Sequence, residues 1–179
     1  MSVFRPIFVG VSACAALLMM ATFSLADISR FVGDYEGMAQ ILRADGTAQA
    51  RNMSVAIDET SEGFSVNWTS GTRRTDGSLK TKSYEIDFKP SAREGIFAAA
   101  QKKNIFGHAV QLDPMKGEPY VWAQIIEDTL TVYSLYVTDD GGYEMQQYDR
   151  TLAEGGLNLN FQIIKNGEPL RSVSTFLVK

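Results

Sequence analysis

From Tyr35 onward, polar and apolar residues alternate in short runs separated by turn dipeptides. Phe64, Val66 and Trp68 alternate with Ser65, Asn67 and Thr69. Tyr84, Ile86 and Phe88 alternate with Glu85 and Asp87, and Leu157, Leu159, Phe161 and Ile163 with Asn158, Asn160 and Gln162. A period of two turns every second side chain to the same face, so each run predicts an antiparallel strand with one buried face. The punctuation agrees: Asp45-Gly46, Glu62-Gly63, Asp76-Gly77, Glu94-Gly95, Lys116-Gly117, the run 139 to 142, Gly155-Gly156 and Asn166-Gly167 are turn signals. Strands are expected near 35 to 43, 48 to 58, 64 to 70, 79 to 88, 96 to 101, 105 to 111, 120 to 127, 129 to 138 and 143 to 152, with a final hairpin at 157 to 178. A flat antiparallel meander of about ten strands leaves two unpaired edges, and closure removes both, so the predicted fold is all-β: an antiparallel up-and-down β-barrel.

Two hairpins are legible in more detail. Asn166-Gly167 favours a two-residue type I′ turn, which sets Lys165 opposite Glu168, Ile163 opposite Leu170, Phe161 opposite Ser172, Leu159 opposite Ser174 and Leu157 opposite Phe176. Large apolar residues facing small serines read either as volume matching in the core or as hydroxyls at the wall of an opening. A two-residue turn at Asp76-Gly77 would instead set Trp68 against Glu85 and Asn67 against Ile86, so that connection is expected to be longer or bulged. The run Ser91-Ala92-Arg93-Glu94 has the form of a capping box, but Gly95 in the first turn of such a helix favours a strand from Ile96 to Gln101 with a turn at Lys103-Asn104.

The length of 179 residues and the absence of a Pro-, Ser- or Gly-rich linker suit one domain, and 45% apolar with only 21% charged residues excludes a disordered chain. Residues 1 to 26 have the form of a secretory signal peptide: Arg5, an apolar run beginning near Ile7, and Ser24-Leu25-Ala26 with small residues where a signal peptidase reads. Export to the periplasm or beyond follows as an expectation, with residues 27 to 179 as the single mature domain and no stable membrane span after cleavage. An uncleaved anchor is the competing reading. Val11-Ser12-Ala13-Cys14 is similar to a lipobox, although the sequence stays apolar after Cys14 where lipoproteins usually turn polar. Cys14 is the one cysteine, so the chain has no disulfide framework and no CxxC pair.

Phe31-Val32-Gly33-Asp34-Tyr35-Glu36-Gly37, with an aromatic residue between two glycines on the first strand, is similar to the start of lipocalin-like barrels of the calycin type, where Gly-x-Trp is usual. The chain thus resembles exported bacterial lipocalin-like proteins over nearly all of residues 31 to 178. The resemblance implies a cup for a small apolar or amphipathic molecule, and a basic residue from a closing strand, Arg171 or Arg150, over the aromatic residue of the first strand. Haem-binding relatives use an axial His; His108 lies in mid-sequence, so haem is not carried over and no cofactor is expected.

The chemistry on offer is otherwise sparse. His108 is the one histidine, too little for a Ser-His-acid system, and its spacing from Asp113 and Glu118 matches no metal site. The loop 113 to 119 has its path fixed by two prolines and a glycine, at a place where a lid or partner contact would sit. The net charge of −4 and the placing of Arg73-Arg74, Lys80, Lys82 and Lys102-Lys103 on turns argue against nucleic acid. Residues 131 to 137 are apolar on both faces, so the outer one needs a cover, for which a homodimer is one candidate. Three functions remain. The first is a binding barrel, a carrier or sensor, with Tyr35, Trp68, Trp122, Tyr136 and Phe161 as apolar wall and Arg171 or Ser172 as polar handle. The second is a non-enzymatic envelope interaction module with a filled barrel. The third, an enzyme using Asp149 or Glu85 inside the cup, has no motif that names a reaction.

Overall fold

The computed structural model describes residues 27–42, 46–73, 77–99, 102–103, 109–110 and 112–179. The expected leader at 1 to 26, with Cys14, and also His108 lie outside these residues. Each alternating run forms a strand: β1 (Gly33–Leu42), β2 (Ala48–Thr60), β3 (Gly63–Arg73), β4 (Leu79–Pro90), β5 (Ile96–Ala99), β6 (Lys102–Lys103), β7 (Ala109–Val110), β8 (Tyr120–Ile126), β9 (Thr129–Val137), β10 (Tyr143–Ala153), β11 (Gly156–Lys165) and β12 (Glu168–Val178). Ten of them close an antiparallel barrel in the order β1-β12-β11-β10-β9-β8-β5-β4-β3-β2, every neighbour along the chain being a neighbour in space. The expected strand at 105 to 111 is described only at Ala109–Val110, which lies outside the barrel wall. Its described part, β7, pairs with β6 in a separate two-stranded ribbon between β5 and β8.

Side-chain alternation assigns the faces. Tyr35, Ala39 and Ile41 on β1, Val55 and Ile57 on β2, and Phe64 and Val66 on β3 point inward and are buried. So do Phe88 on β4, Ala123 and Ile125 on β8, Leu130 and Val132 on β9, Leu157 and Leu159 on β11, and Val173 and Leu177 on β12. The end holding Gly33, the β2–β3 and β8–β9 turns, and Lys179 is plugged. A 3₁₀ turn at Ile28–Phe31, capped by Asp27, whose carboxylate accepts from the Ser29 N–H at 3.0 Å, brings the buried Phe31 to this end. Phe64 stacks on Phe88 at 5.1 Å and meets Phe97 edge-on at 5.0 Å. Arg30 ties the turn to the β8–β9 hairpin by an ion pair with Asp128.

Closure at β1–β12 sets Glu36 opposite Val178, and Thr175 Oγ1 donates to the Met38 carbonyl at 2.9 Å. The residue over the first-strand aromatic ring is neither Arg171 nor Arg150. It is Lys179, whose Nζ lies 5.5 Å from the centre of the Tyr35 ring and donates to the Val32 carbonyl at 2.7 Å. Gly33 makes this possible: its φ is +147°, and a Cβ there would come within 2.5 Å of Lys179 Cε. Below the ring, Tyr35 Oη donates to the Phe31 carbonyl at 2.8 Å.

The β3–β4 connection is longer than two residues, as expected. Arg73 pairs with Leu79, which sets Trp68 opposite Tyr84 and Val66 opposite Ile86. Ser91 starts no helix; its Oγ accepts from the Arg93 N–H at 3.1 Å in a local turn, and β5 follows, ending at Ala99. The β11–β12 register departs from expectation. Lys165 pairs with Glu168 and Ile164 with Pro169, but Ile163 then pairs with Arg171, leaving Leu170 as the extra residue of a bulge. The shift places Val173 opposite Phe161, Thr175 opposite Leu159 and Leu177 opposite Leu157. The uniform register would have turned Leu177 and Val173 to solvent and Phe176 inward, so burial of the apolar set overrides the turn. Ser172, Ser174 and Phe176 accordingly lie on the exposed face.

Tyr35→Phe removes the hydroxyl that satisfies the buried Phe31 carbonyl and is expected to cost about 1 kcal/mol, whereas Phe64→Ala empties the plug and is expected to cost about 3–5 kcal/mol. Urea unfolding of the two variants checks both values.

Candidate functional site

Above the plug the inward residues become larger, more aromatic and less completely packed. Tyr84 stacks on Trp68 at 5.3 Å, Trp68 meets Tyr148 at 5.5 Å, and Tyr148 stacks on Phe161 at 4.6 Å. Because Tyr84 and Trp68 come from β4 and β3 while Tyr148 and Phe161 come from β10 and β11, this chain of rings bridges the lumen. On one side of it lies a cavity of about 180 Å³, lined by Trp68, Tyr84, Ile86, Pro119, Val121, Val132, Ser134, Tyr136, Gln146 and Tyr148. At the roughly 30 Å³ that a water molecule occupies in the liquid, the space equals about six waters, which suits a small molecule. The lining residues that carry polar groups are Trp68, Tyr84, Ser134, Tyr136, Gln146 and Tyr148, whose phenol donates to Gln146 Oε1 at 2.9 Å. Burial pushes the Tyr148 phenol up to about 12, so it stays protonated.

Arg150 lies against this bridge. It shares the inward register of Tyr148, stands opposite Leu130 and Leu159, and is 1% exposed. Its guanidinium carbon is 5.7 Å from the centre of the Trp68 ring and 5.6 Å from that of Tyr148. Nη1 donates to the Tyr148 carbonyl at a long 3.5 Å, and Nε has no partner. The adjacent acid, Asp149, faces the outside of the barrel, where it accepts from Thr131 Oγ1 at 2.8 Å and from Gln147 Nε2 at 2.9 and 3.0 Å. Desolvation holds the Arg150 guanidinium down at about 10, which still leaves it charged at neutral pH. Ring contacts contribute about 2 kcal/mol to a desolvated cation, and removing an ion from water costs several kcal/mol. The charge is under-compensated.

The expected site residues scatter around this chamber. Trp68 and Tyr136 line it. Phe161 backs the wall through Tyr148, and Tyr35 belongs to the closed end. Arg171 keeps the inward register but sits exposed at the open end. Ser172 faces solvent because of the bulge at Leu170. Trp122 is on the outer wall, stacked on Tyr133 at 4.8 Å with Tyr120 beside it, since Val121, Ala123 and Ile125 take the inward positions opposite Ser134, Val132 and Leu130. Asp149 and Glu85 are also on outward positions, so neither is a carboxylate of the cup. The loop 113 to 119 staples itself: Asp113 Oδ1 accepts from the Met115 N–H at 3.0 Å and Glu118 Oε2 from the Asp113 N–H at 3.2 Å. Tyr84, Ser134, Gln146 and Tyr148 were not expected at the site, although the alternation through Gln146, Tyr148 and Arg150 carries the signal.

Other hollows are outside the barrel. One, of about 580 Å³, is an open concave face across β1 to β4 formed by Glu36, Met38, Asn52, Ser54, Leu79 and Thr81 among others. Among the described residues, no group of three or more His, Cys, Asp or Glu side chains is placed to hold a metal ion. Comparison with known proteins returned no matching family model, curated protein or solved structure.

Arg150→Met keeps the length and removes the buried charge, so it is expected to raise stability by about 1–4 kcal/mol. The lowered value means that the unfolded state binds more protons between about 10 and the ordinary arginine value above it. The penalty is therefore fully present below about pH 10 and fades above it. Urea unfolding of both proteins at pH 7 and pH 10.5 is expected to show the gap narrowing at the higher pH.

Proposed function

We propose that this protein is an exported lipocalin-like binding barrel, a carrier or sensor that holds one small apolar or amphipathic molecule in its interior. The observation that carries the reading is the contrast within the lumen. The lower half is filled to van der Waals contact by Phe31, Phe64, Phe88 and Phe97, while the upper half leaves an aromatic chamber with polar groups in its lining. That is the composition of a ligand site: flat apolar walls for affinity and a few placed polar atoms for orientation. The apolar leader at 1 to 26 supports export to the periplasm or beyond.

A second reading, an envelope interaction module that uses the outside of the barrel, is favoured by one feature. On the outer wall Tyr120, Leu135, Met145 and Ile164 stand side by side across four strands, with Trp122 and Tyr133 in the next row. This is the face that the apolar run 131 to 137 predicts, and a homodimer would bury it.

Native mass spectrometry of the protein purified from its own compartment separates the two. A discrete added mass, released on denaturation, is expected for the binding barrel; a clean doubling without added mass supports the interaction module. Ser134→Phe, which places a ring in the chamber, is expected to abolish the added mass while leaving the circular dichroism spectrum unchanged.

A further inference from the structure

We propose that the molecule held in the chamber is an anion: a small aromatic or branched acid whose carboxylate, or an equivalent compact monoanion, pairs with Arg150. The proposal rests on the binding-barrel reading and narrows it to a chemical class. Arg150 is buried to 1% exposure, yet its Nε has no partner and its one long hydrogen bond goes to a main-chain carbonyl. A side chain that merely filled the lumen would need no charge, since Leu130 and Leu159 on either side do the same with methyl groups. A guanidinium carries five N–H donors in a plane and matches a carboxylate with two parallel bonds.

The position fits that use. Trp68 and Tyr148 both line the chamber, and the guanidinium, which is not itself part of the lining, lies within 6 Å of both ring centres, so a turn of either ring opens it to the chamber. A ring-sized body held by Trp68, Tyr84 and Tyr136 would bring its acid group to that side of the cavity. The acids around it are engaged elsewhere: Asp149, whose charge acts on the guanidinium from the outer face, is bound by Thr131 and Gln147, and Glu144, with an inward register nearer the mouth, accepts from Gln146 Nε2 at 2.8 Å. The open end carries both signs of charge, with Asp113, Glu118, Asp139 and Asp140 on its loops. Glu144 and Glu168 flank Lys165 across the strands, while Arg51, Lys80, Lys82 and Arg171 share the inward register at the open end. The inward-register bases there are the ones an anion would meet on its way into the lumen.

Benzoate and benzyl alcohol, nearly equal in size and differing in charge, are the probes. Calorimetric titration of the purified protein is expected to show benzoate binding tighter by about tenfold or more, the value of a charge-assisted hydrogen bond. Arg150→Met is expected to lose that preference while still taking benzyl alcohol, and Arg150→Lys to keep part of it. Equal affinity of the native protein for the two probes overturns the anion and leaves the binding barrel standing. A preference that survives in Arg150→Met overturns the role of Arg150. Failure of both probes, together with a bare native mass, overturns the binding barrel and the anion with it. The comparison on the native protein requires no variant to fold.

Discussion

Ten antiparallel strands laid side by side end in two rows of unpaired backbone N–H and C=O groups, and the architecture depends on bringing those rows together. The seam between β1 and β12 does so where two glycines let the chain approach itself closely. Gly33 and Gly37 leave the space: a Cβ on Gly37 would fall 2.4 Å from the Phe176 carbonyl, and one on Gly33 would strike the Lys179 side chain. Lys179 then lies over Tyr35 and reaches the Val32 carbonyl. Once the seam is closed, every inward side chain shares a single lumen, and what that lumen contains is decided by volume.

Volume is distributed unevenly along the barrel axis. At the closed end four phenylalanines and the aliphatic residues of β2, β9, β11 and β12 exclude water. Midway, the rings of Tyr84, Trp68, Tyr148 and Phe161 bridge the lumen and bound a chamber on one side. Against that bridge lies a guanidinium that the fold leaves without an ion pair among the described residues. The stable part of the molecule and its incompletely satisfied part are thus adjacent, joined through Trp68 and Tyr148. A buried cation with an open donor is tolerable where the surrounding plug is rigid, because neighbouring residues cannot collapse to exclude or neutralise it.

The barrel was legible from the sequence because alternation and turn dipeptides state strand number and direction in the chain itself. The extra length of the β3–β4 connection was legible too, since a two-residue turn would set Trp68 against Glu85 and Ile86 against Asn67. Parity was not legible where it is ambiguous. Around Trp122 both faces of β8 are apolar, as are both faces of β9, so nothing in the local pattern says that Val121, Ala123 and Ile125 turn inward and the large rings outward. In β12 the signal was present: Leu170 and Val173 are three apart, a spacing that no uninterrupted strand places on one face, and Pro169 cannot donate to a continuous ladder. Arg150 was singled out for a stack over Tyr35, because a resemblance supplies a role for a basic residue but not the register that decides where its charge is buried. Lys179 fills that role from the last position in the chain.

Both ends of the described chain lie at the closed end of the barrel. Asp27 caps the turn that brings Phe31 to the plug, and the Lys179 N–H donates to the Gly155 carbonyl at 3.0 Å in the β10–β11 turn. The aromatic chamber and the open rim are at the opposite pole. Any tether, surface or fusion joined at residue 27 or residue 179 therefore presents the molecule mouth-outward, and immobilisation through either residue leaves the rim facing the solution.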